Sequence, residues 1–302
     1  MFDMKTFLKR IYNFSNTWVG TIIFVLIFIF FIAQSFIIPS RSMVGTLYEG
    51  DMLLVKKFSY GIPLPQLPWV NWRIFPDIHH NGHLFEGRRP NRGEVVVFIP
   101  PHQKNVFFVK RNFAVGGDEV IFTKKGFYLY CHEGNEYIKK HFQEQEILEF
   151  AGKLFVYEPY SKDHLGIHYA KDNWEFNLME AIMKTDHNYV IANNGEDPSV
   201  ERISMKPINL NGELAFYKKI PQDEFFMIGD NRDNSDDSRF WGSVPYRNII
   251  GTPWVTLFSI NLKNSQEVDA ENNPKKRYTI RWNRMFKTIS TLEEEMKKEA
   301  SR

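Results

Sequence analysis

Hydrophobic positions fall along this chain in three patterns. The first is a nearly unbroken apolar run over residues 18–38, with no charged side chain between Arg10 and Arg41. That is the length a helix needs to cross the hydrocarbon core of a bilayer. Ala33-Gln34-Ser35 would pass as a signal-peptide cleavage site, but Phe36-Ile37-Ile38 resumes the apolar run with no polar region before the cut, so 18–38 reads as a permanent anchor. Lys5, Lys9 and Arg10 precede the run, whereas Arg41 is soon followed by Glu49 and Asp51. The asymmetry predicts a cytoplasmic N-terminus (1–17), one transmembrane helix (18–38) and a body lying wholly outside the cell or inner membrane.

The second pattern is a series of short β-branched and aromatic runs bounded by Gly, Pro or Asp, at 52–55, 94–99, 106–109, 119–122, 225–228 and 254–260. These predict strands. Asn211-Gly212 between two apolar runs predicts a hairpin, and the Pro- and Gly-rich stretch 61–92 an extended loop. The third pattern is helical. Trp174, Leu178 and Ile182 share one face of a helix over 172–184. In the tail, Tyr278, Ile280 and Trp282 alternate as in a strand, and then Met285, Ile289, Leu292 and Met296 make a helical stripe. Glu293–Lys297 and Glu294–Lys298 would pair on its exposed side. Residues 123–220 are more polar and irregular than their flanks. The expected architecture is mainly β. One β core, in two parts at 39–122 and 213–286, is interrupted by an insert at 123–212 and followed by an amphipathic helix at 287–302.

Composition narrows the possibilities. A chain of 302 residues, 43% of them hydrophobic, can bury a sizeable core and still carry a second, smaller domain. A net charge of only +2 supplies no field for nucleic acid, so no nucleic-acid partner is expected. The aromatic content of 16% suits a large core and also a surface resting on lipid. Lys275, Lys276, Arg277, Arg281, Arg284 and Lys287, interleaved with Trp282 and Phe286, fit either anionic phospholipid headgroups or a solvated face. Cys131 stands alone, so neither an intrachain disulfide nor a thiolate zinc site can form. The Asp- and Asn-rich stretch 229–242 lacks the alternating oxygen ligands and sixth-position glycine of a calcium loop. His79, His80 and His83 sit in the Pro/Gly stretch without ligand spacing and read as exposed loop residues. No metal or other cofactor is expected.

Four stretches carry chemistry. They are Ile38-Pro39-Ser40-Arg41-Ser42-Met43 running to Gly50-Asp51, Arg92-Gly93-Glu94 through Phe98, Val109-Lys110-Arg111 through Gly117-Asp118, and Gly229-Asp230-Asn231-Arg232-Asp233-Asn234-Ser235-Asp236-Asp237-Ser238-Arg239-Phe240-Trp241-Gly242. Lys110 closes the apolar run VFFV and is followed by more apolar residues. Desolvation there favours the neutral amine, which can act as a base toward a serine hydroxyl. A lone lysine beside an apolar strand more often snorkels to water.

Together and in this order, the four stretches resemble the bacterial type I signal peptidases (leader peptidases), the Ser-Lys proteases that remove signal peptides. The resemblance covers about 39–122 and 213–260, and the fourth stretch is highly specific. It implies a signal-peptidase-like β catalytic domain with a variable second domain inserted. It makes Ser42 the nucleophile, Lys110 the general base, and the Ser40 hydroxyl and Ser42 N–H the oxyanion donors. Ser235 would orient the lysine amine, Asp237 and Arg239 would support the loop, and Asp230 would shape it. Ile38, Pro39, Met43, Leu47 and Val109 would line shallow apolar pockets that accept small residues at the −1 and −3 positions of a preprotein. Secretory preproteins, membrane phospholipids and the protein translocation machinery are the implied partners. Gly45, Ala114 and Gly116 depart from the family pattern, and the chain has one apparent span rather than two. An inert homologue tethered at the translocon is the alternative, but such a copy would be expected to lose Ser42 or Lys110.

Overall fold

Strand Asp51–Lys56 alternates buried and half-buried positions, turning Leu53 and Val55 inward, and it anchors an eight-stranded antiparallel sheet. The computed structural model describes residues 4–27, 32–65, 76–77, 80–103, 106–143, 145–170, 172–185, 189–193, 197–201, 203–262 and 278–300. The sheet runs in the order Ala33–Ile37, Asp51–Lys56, Ile249–Ser259, Val95–Phe98, Phe108–Val115, Glu224–Ile228 and Val244–Pro245, with Lys287–Thr288 added on Ile249–Ser259. Register shifts in Ile249–Ser259 let one long strand serve two neighbours.

A second, six-stranded sheet runs Lys206–Leu210, Glu213–Lys219, Glu119–Phe122, Phe127–Tyr130, Lys153–Tyr157, Ile147–Phe150. The expected boundaries at 122/123 and 212/213 fall within this sheet, since Glu119–Phe122 and Glu213–Lys219 belong to it. Phe113, Phe122, Phe127, Phe176, Phe216 and Phe226 share one core between the two sheets and helix Trp174–Thr185. The Phe113 and Phe127 rings lie 5.2 Å apart, Phe122 and Phe176 5.6 Å. Most of the aromatic content near the second sheet is therefore core.

The strands predicted at 52–55, 94–99, 119–122, 225–228 and 254–260 form, the one at 106–109 begins only at Phe108 and runs on to Val115, and Asn211-Gly212 closes the hairpin, with Leu210 opposite Glu213. Four expectations change. Residues 18–38 are not one helix: the helix spans Trp18–Ile27, residues 28–31 lie outside the described residues, and Ala33–Ile37 is a strand. That strand pairs with Asp51–Lys56, Phe36 opposite Leu53, and the ladder satisfies backbone groups a helix would otherwise bond internally. Among the described residues no helix is long and apolar enough to cross a membrane. The stretch 61–92 contains paired strands Gly61–Pro63 and His83–Glu86. His83 is buried there, stacked on Tyr246 at 4.3 Å, whereas His80 is exposed and His79 lies outside the described residues. Helix Trp174–Thr185 buries Phe176, Met179 and Ile182 and leaves Trp174 exposed. In the tail, Ile280 makes a single bridge to Ile260, Trp282–Arg284 is a 3-10 turn, and Lys275, Lys276 and Arg277 lie outside the described residues.

Helix Ile289–Ala300 docks by Ile289 and Leu292 against Ile38, Met43, Leu47, Leu53 and Val95. Leu292→Ala should therefore destabilise the protein by about 2–4 kcal/mol in denaturant unfolding. A loss below about 0.5 kcal/mol, typical of a surface substitution, would mean the helix does not support this core.

Candidate active site

After strand Ala33–Ile37 the chain coils through residues 40–47, held by hydrogen bonds from Val44 N–H to the Arg41 carbonyl (3.0 Å) and from Leu47 N–H to the Met43 carbonyl (2.8 Å). Gly45 has φ +102°, and a side chain there would strike the backbone of Gly166, which accounts for glycine at this position. Ser42 is buried, with its Oγ 3.3 Å from Ser40 Oγ. The Ser42 carbonyl accepts the Asn231 N–H at 3.1 Å, and Asn231 Nδ2 donates to the Arg41 carbonyl at 3.2 Å. The loop after Glu224–Ile228 thus grips the serine turn.

Lys110 is the third residue of Phe108–Val115, opposite Val96, and so lies inside a strand rather than at its end. The residue is only 4% exposed, and its Nζ sits 5.6 Å from the centre of the Phe108 ring. Burial pushes its pKa down to about 8, against the opposing pull of Asp237 and Asp236. Ser42 and Lys110 line one cleft of about 550 Å³. Residues 36–43, residues 106–110, Asn234 and Asp236 line it. Ile38, Pro39, Ser40, Met43 and Val109 all reach this cleft, but Leu47 does not. It is fully buried beside Leu53, Ile289 and Leu292.

Ser235, Asp230, Asp237 and Arg239 stand behind the cleft. Asp237 Oδ1 accepts Arg239 Nε at 2.8 Å, Oδ2 accepts the Arg239 terminal nitrogen at 2.8 Å, and both residues are fully buried. Arg239 also donates to the Arg232 carbonyl (2.6 Å), and the Gly229 N–H donates to Asp237 (3.3 Å). Among the described residues the buried Ser235 hydroxyl has no hydrogen-bond partner, whereas the Ser235 N–H donates to Glu175 Oε1 at 3.1 Å. A side chain at Gly229 would collide with both Ser235 Oγ and the Ser42 carbonyl, so that glycine lets the two serines approach one point. Asp230 accepts Arg111 Nε (2.8 Å), its terminal nitrogen (2.7 Å) and the Thr46 hydroxyl (2.6 Å). Burial favours the neutral acid, but Arg111 and Thr46 outweigh it and hold Asp230 below the usual carboxylate range.

Arg111, Thr46 and Gly229 lie within the motif stretches but carried no expected role, and Glu175 and Glu293 lie outside them. Strand alternation sends Arg111 away from Lys110, toward Asp230, and that was the one available signal. Glu293, expected on the exposed side of the tail helix, instead turns inward, accepting from Arg111 (2.8 Å) and bonding His164 Nδ1 (3.0 Å). Elsewhere Asp118, His132 and Glu133 cluster closely enough to hold a cation, but the Arg92 guanidinium already reaches all three.

The sequence matches the family model described as signal peptidase, peptidase S26, over residues 11–258. It is 62% and 60% identical to the signal peptidase I of two Helicobacter pylori strains, over 97% of this chain and 98% of each relative. It is also 31% identical to signal peptidase I of Buchnera aphidicola from Acyrthosiphon pisum, over 81% of this chain and 74% of that protein.

Asp237→Ala should cost about 3–5 kcal/mol in unfolding free energy, because it strands the buried Arg239 charge. Replacing both members together (Asp237→Leu with Arg239→Met) should cost less than Asp237→Ala alone. Equal losses in the two proteins would show that the pair does not act as a unit.

Proposed function

Because the chain belongs to the signal peptidase family, peptidase S26, we propose that it removes signal peptides from exported preproteins with Ser42 as nucleophile and Lys110 as general base. The reading rests on one observation: a buried lysine whose amine is driven toward neutrality lines the same cleft as a buried serine. A serine hydroxyl is a weak nucleophile until a positioned base takes its proton. In the proposed cycle Lys110 Nζ takes the Ser42 proton as Oγ attacks the scissile carbonyl. The protonated amine then passes that proton to the leaving amine, and a water activated in the same way releases the acyl group. The Ser42 N–H and Ser40 Oγ donate to the tetrahedral oxyanion, a contribution of about 3–4 kcal/mol per donor in such sites. Ser235 orients the amine through an uncharged hydroxyl, while the Asp237–Arg239 and Asp230–Arg111 pairs hold the loop and the serine turn.

Ser42→Ala and Lys110→Met should each abolish cleavage of a preprotein by the solubilised protein while leaving it folded. With wild type, kcat/KM should rise as Lys110 loses its proton through a pKa of about 8, and level off above it. Activity within about tenfold of wild type in either variant, or a rise centred near the ordinary lysine value, would overturn the dyad.

We assign substrate binding to the free edge beside Lys110. Along strand Phe108–Val115, Glu224–Ile228 pairs with Arg111–Val115 only, so among the described residues 108–110 have no ladder partner on that side. An extended peptide added there would turn alternate side chains toward Ile38, Met43 and Val109. The N-terminal region would hold the body at the membrane. Helix Trp18–Ile27 turns nearly all its side chains outward, and the flanking charges favour a cytoplasmic N-terminus with the body on the extracytoplasmic side. Phospholipids and the translocation machinery are the neighbours this arrangement implies. In a substrate series carrying Ala, Val, Leu or Phe at −1 and at −3, Ala should be cleaved fastest, since overpacking a shallow apolar pocket costs about 1–3 kcal/mol. Equal rates for Ala and Phe at −1 would refute the shallow pocket.

A further inference from the structure

Helix Trp174–Thr185 belongs to the middle region, which carries none of the four motif stretches, yet its second residue reaches the back of the active site. Glu175 is only 6% exposed, and its Oε1 accepts the Ser235 N–H at 3.1 Å. The neighbouring side chains Phe176, Met179 and Ile182 pack into the core shared by the two sheets, so the helix cannot drift without disturbing that core. We propose that Glu175 is a positioning residue: it holds the backbone of Ser235 in place and brings a carboxylate of the middle region to bear on the Lys110 amine. The proposal rests on the Ser42–Lys110 dyad but goes beyond it.

Three observations carry it. Among the described residues the buried Ser235 hydroxyl has no hydrogen-bond partner, so its position is set by how its backbone is held. That backbone is held on one side by Glu175 and on the other by Arg239, which donates to the Ser235 carbonyl at 3.3 Å. Finally, the charge of Glu175 favours the protonated form of Lys110, as do Asp237 and Asp236, while Arg239 opposes it.

The charged groups around Glu175 can be named. Arg239 and Asp237 form the buried pair at the short helix Ser238–Trp241, and Asp233 lies on the same loop, accepting the Ala170 N–H at 2.8 Å. Lys110 lies on the strand behind, and Lys124 stands over the Phe176 ring at 5.8 Å. Burial raises the Glu175 pKa to about 7, with Arg239 opposing and Asp237 and Asp233 adding to the rise.

Glu175→Gln keeps an amide oxygen to accept the Ser235 N–H but removes the charge. The rising limb of kcat/KM should move toward acid by about half a pH unit. Glu175→Ala removes the acceptor and leaves a buried N–H unpaired, so the plateau kcat should fall about tenfold or more. The Lys110 amine is also titrated directly, by the nitrogen resonance of lysine-labelled wild type and Glu175→Gln, with Lys110→Met to assign the signal. That measurement reads the amine whether or not Lys110 is the base, so failure of the dyad reading shows separately, as cleavage that survives Lys110→Met. A Lys110 titration in Glu175→Gln shifted toward acid supports the proposal, even where Glu175→Ala does not fold. An unshifted titration, or a Glu175→Ala protein with wild-type kcat, overturns it.

Discussion

The site depends on keeping one amine out of water. Charging a lysine inside a sheet forfeits its hydration, and at Lys110 that penalty exceeds the combined pull of Asp237, Asp236 and Glu175 toward the protonated form. The balance is deliberate in its geometry. Asp237, the acid that acts most strongly on the amine, gives both oxygens to Arg239, so its charge is largely answered before it reaches Lys110. Were Arg239 removed, the loss would be both structural, through the stranded Asp237 charge, and chemical, through a field that returns the proton to Lys110.

A second constraint is that two serines far apart in sequence must meet at one point. The Asn231 N–H holds the Ser42 carbonyl, and Gly229 leaves room for that carbonyl beside the Ser235 hydroxyl. Farther back, Asp230 and Arg111 are tied to Thr46 in the serine turn and to Glu293 in the C-terminal helix. The same helix supplies Ile289 and Leu292 to the apolar cluster beneath Ile38 and Met43. Polar and apolar contacts therefore converge on residues 38–47 from the two ends of the chain.

Much of this was legible beforehand. The strands at 52–55, 94–99 and 225–228 were readable from β-branched runs between turn residues, and the hairpin at Asn211-Gly212 from turn chemistry, because both signals are local. Ser42 and Lys110 were singled out by motif context, and the structure brings both to one cleft. Glu175 and Glu293 were not, because a carboxylate on a helix looks solvated until a distant partner is brought to it. Helix Trp174–Thr185 shows the limit within one element: periodicity located it, but the buried face holds Phe176 and Met179 rather than Trp174, since the core it meets decides which stripe turns inward.

The sequence by itself determined the local chemistry: which segments are extended, where the chain turns, that an apolar N-terminal segment precedes a body with no disulfide, and which serine and lysine stand in the motif contexts of a peptidase. Only the tertiary structure decided what surrounds them. It turned Ala33–Ile37 into an edge strand, sealed Leu47 into the core, and set Glu175 and Arg239 on opposite sides of the Ser235 backbone. The reason is physical: propensity and periodicity act over a few residues, whereas burial, charge pairing and an amine's pKa depend on atoms that only the folded chain brings together.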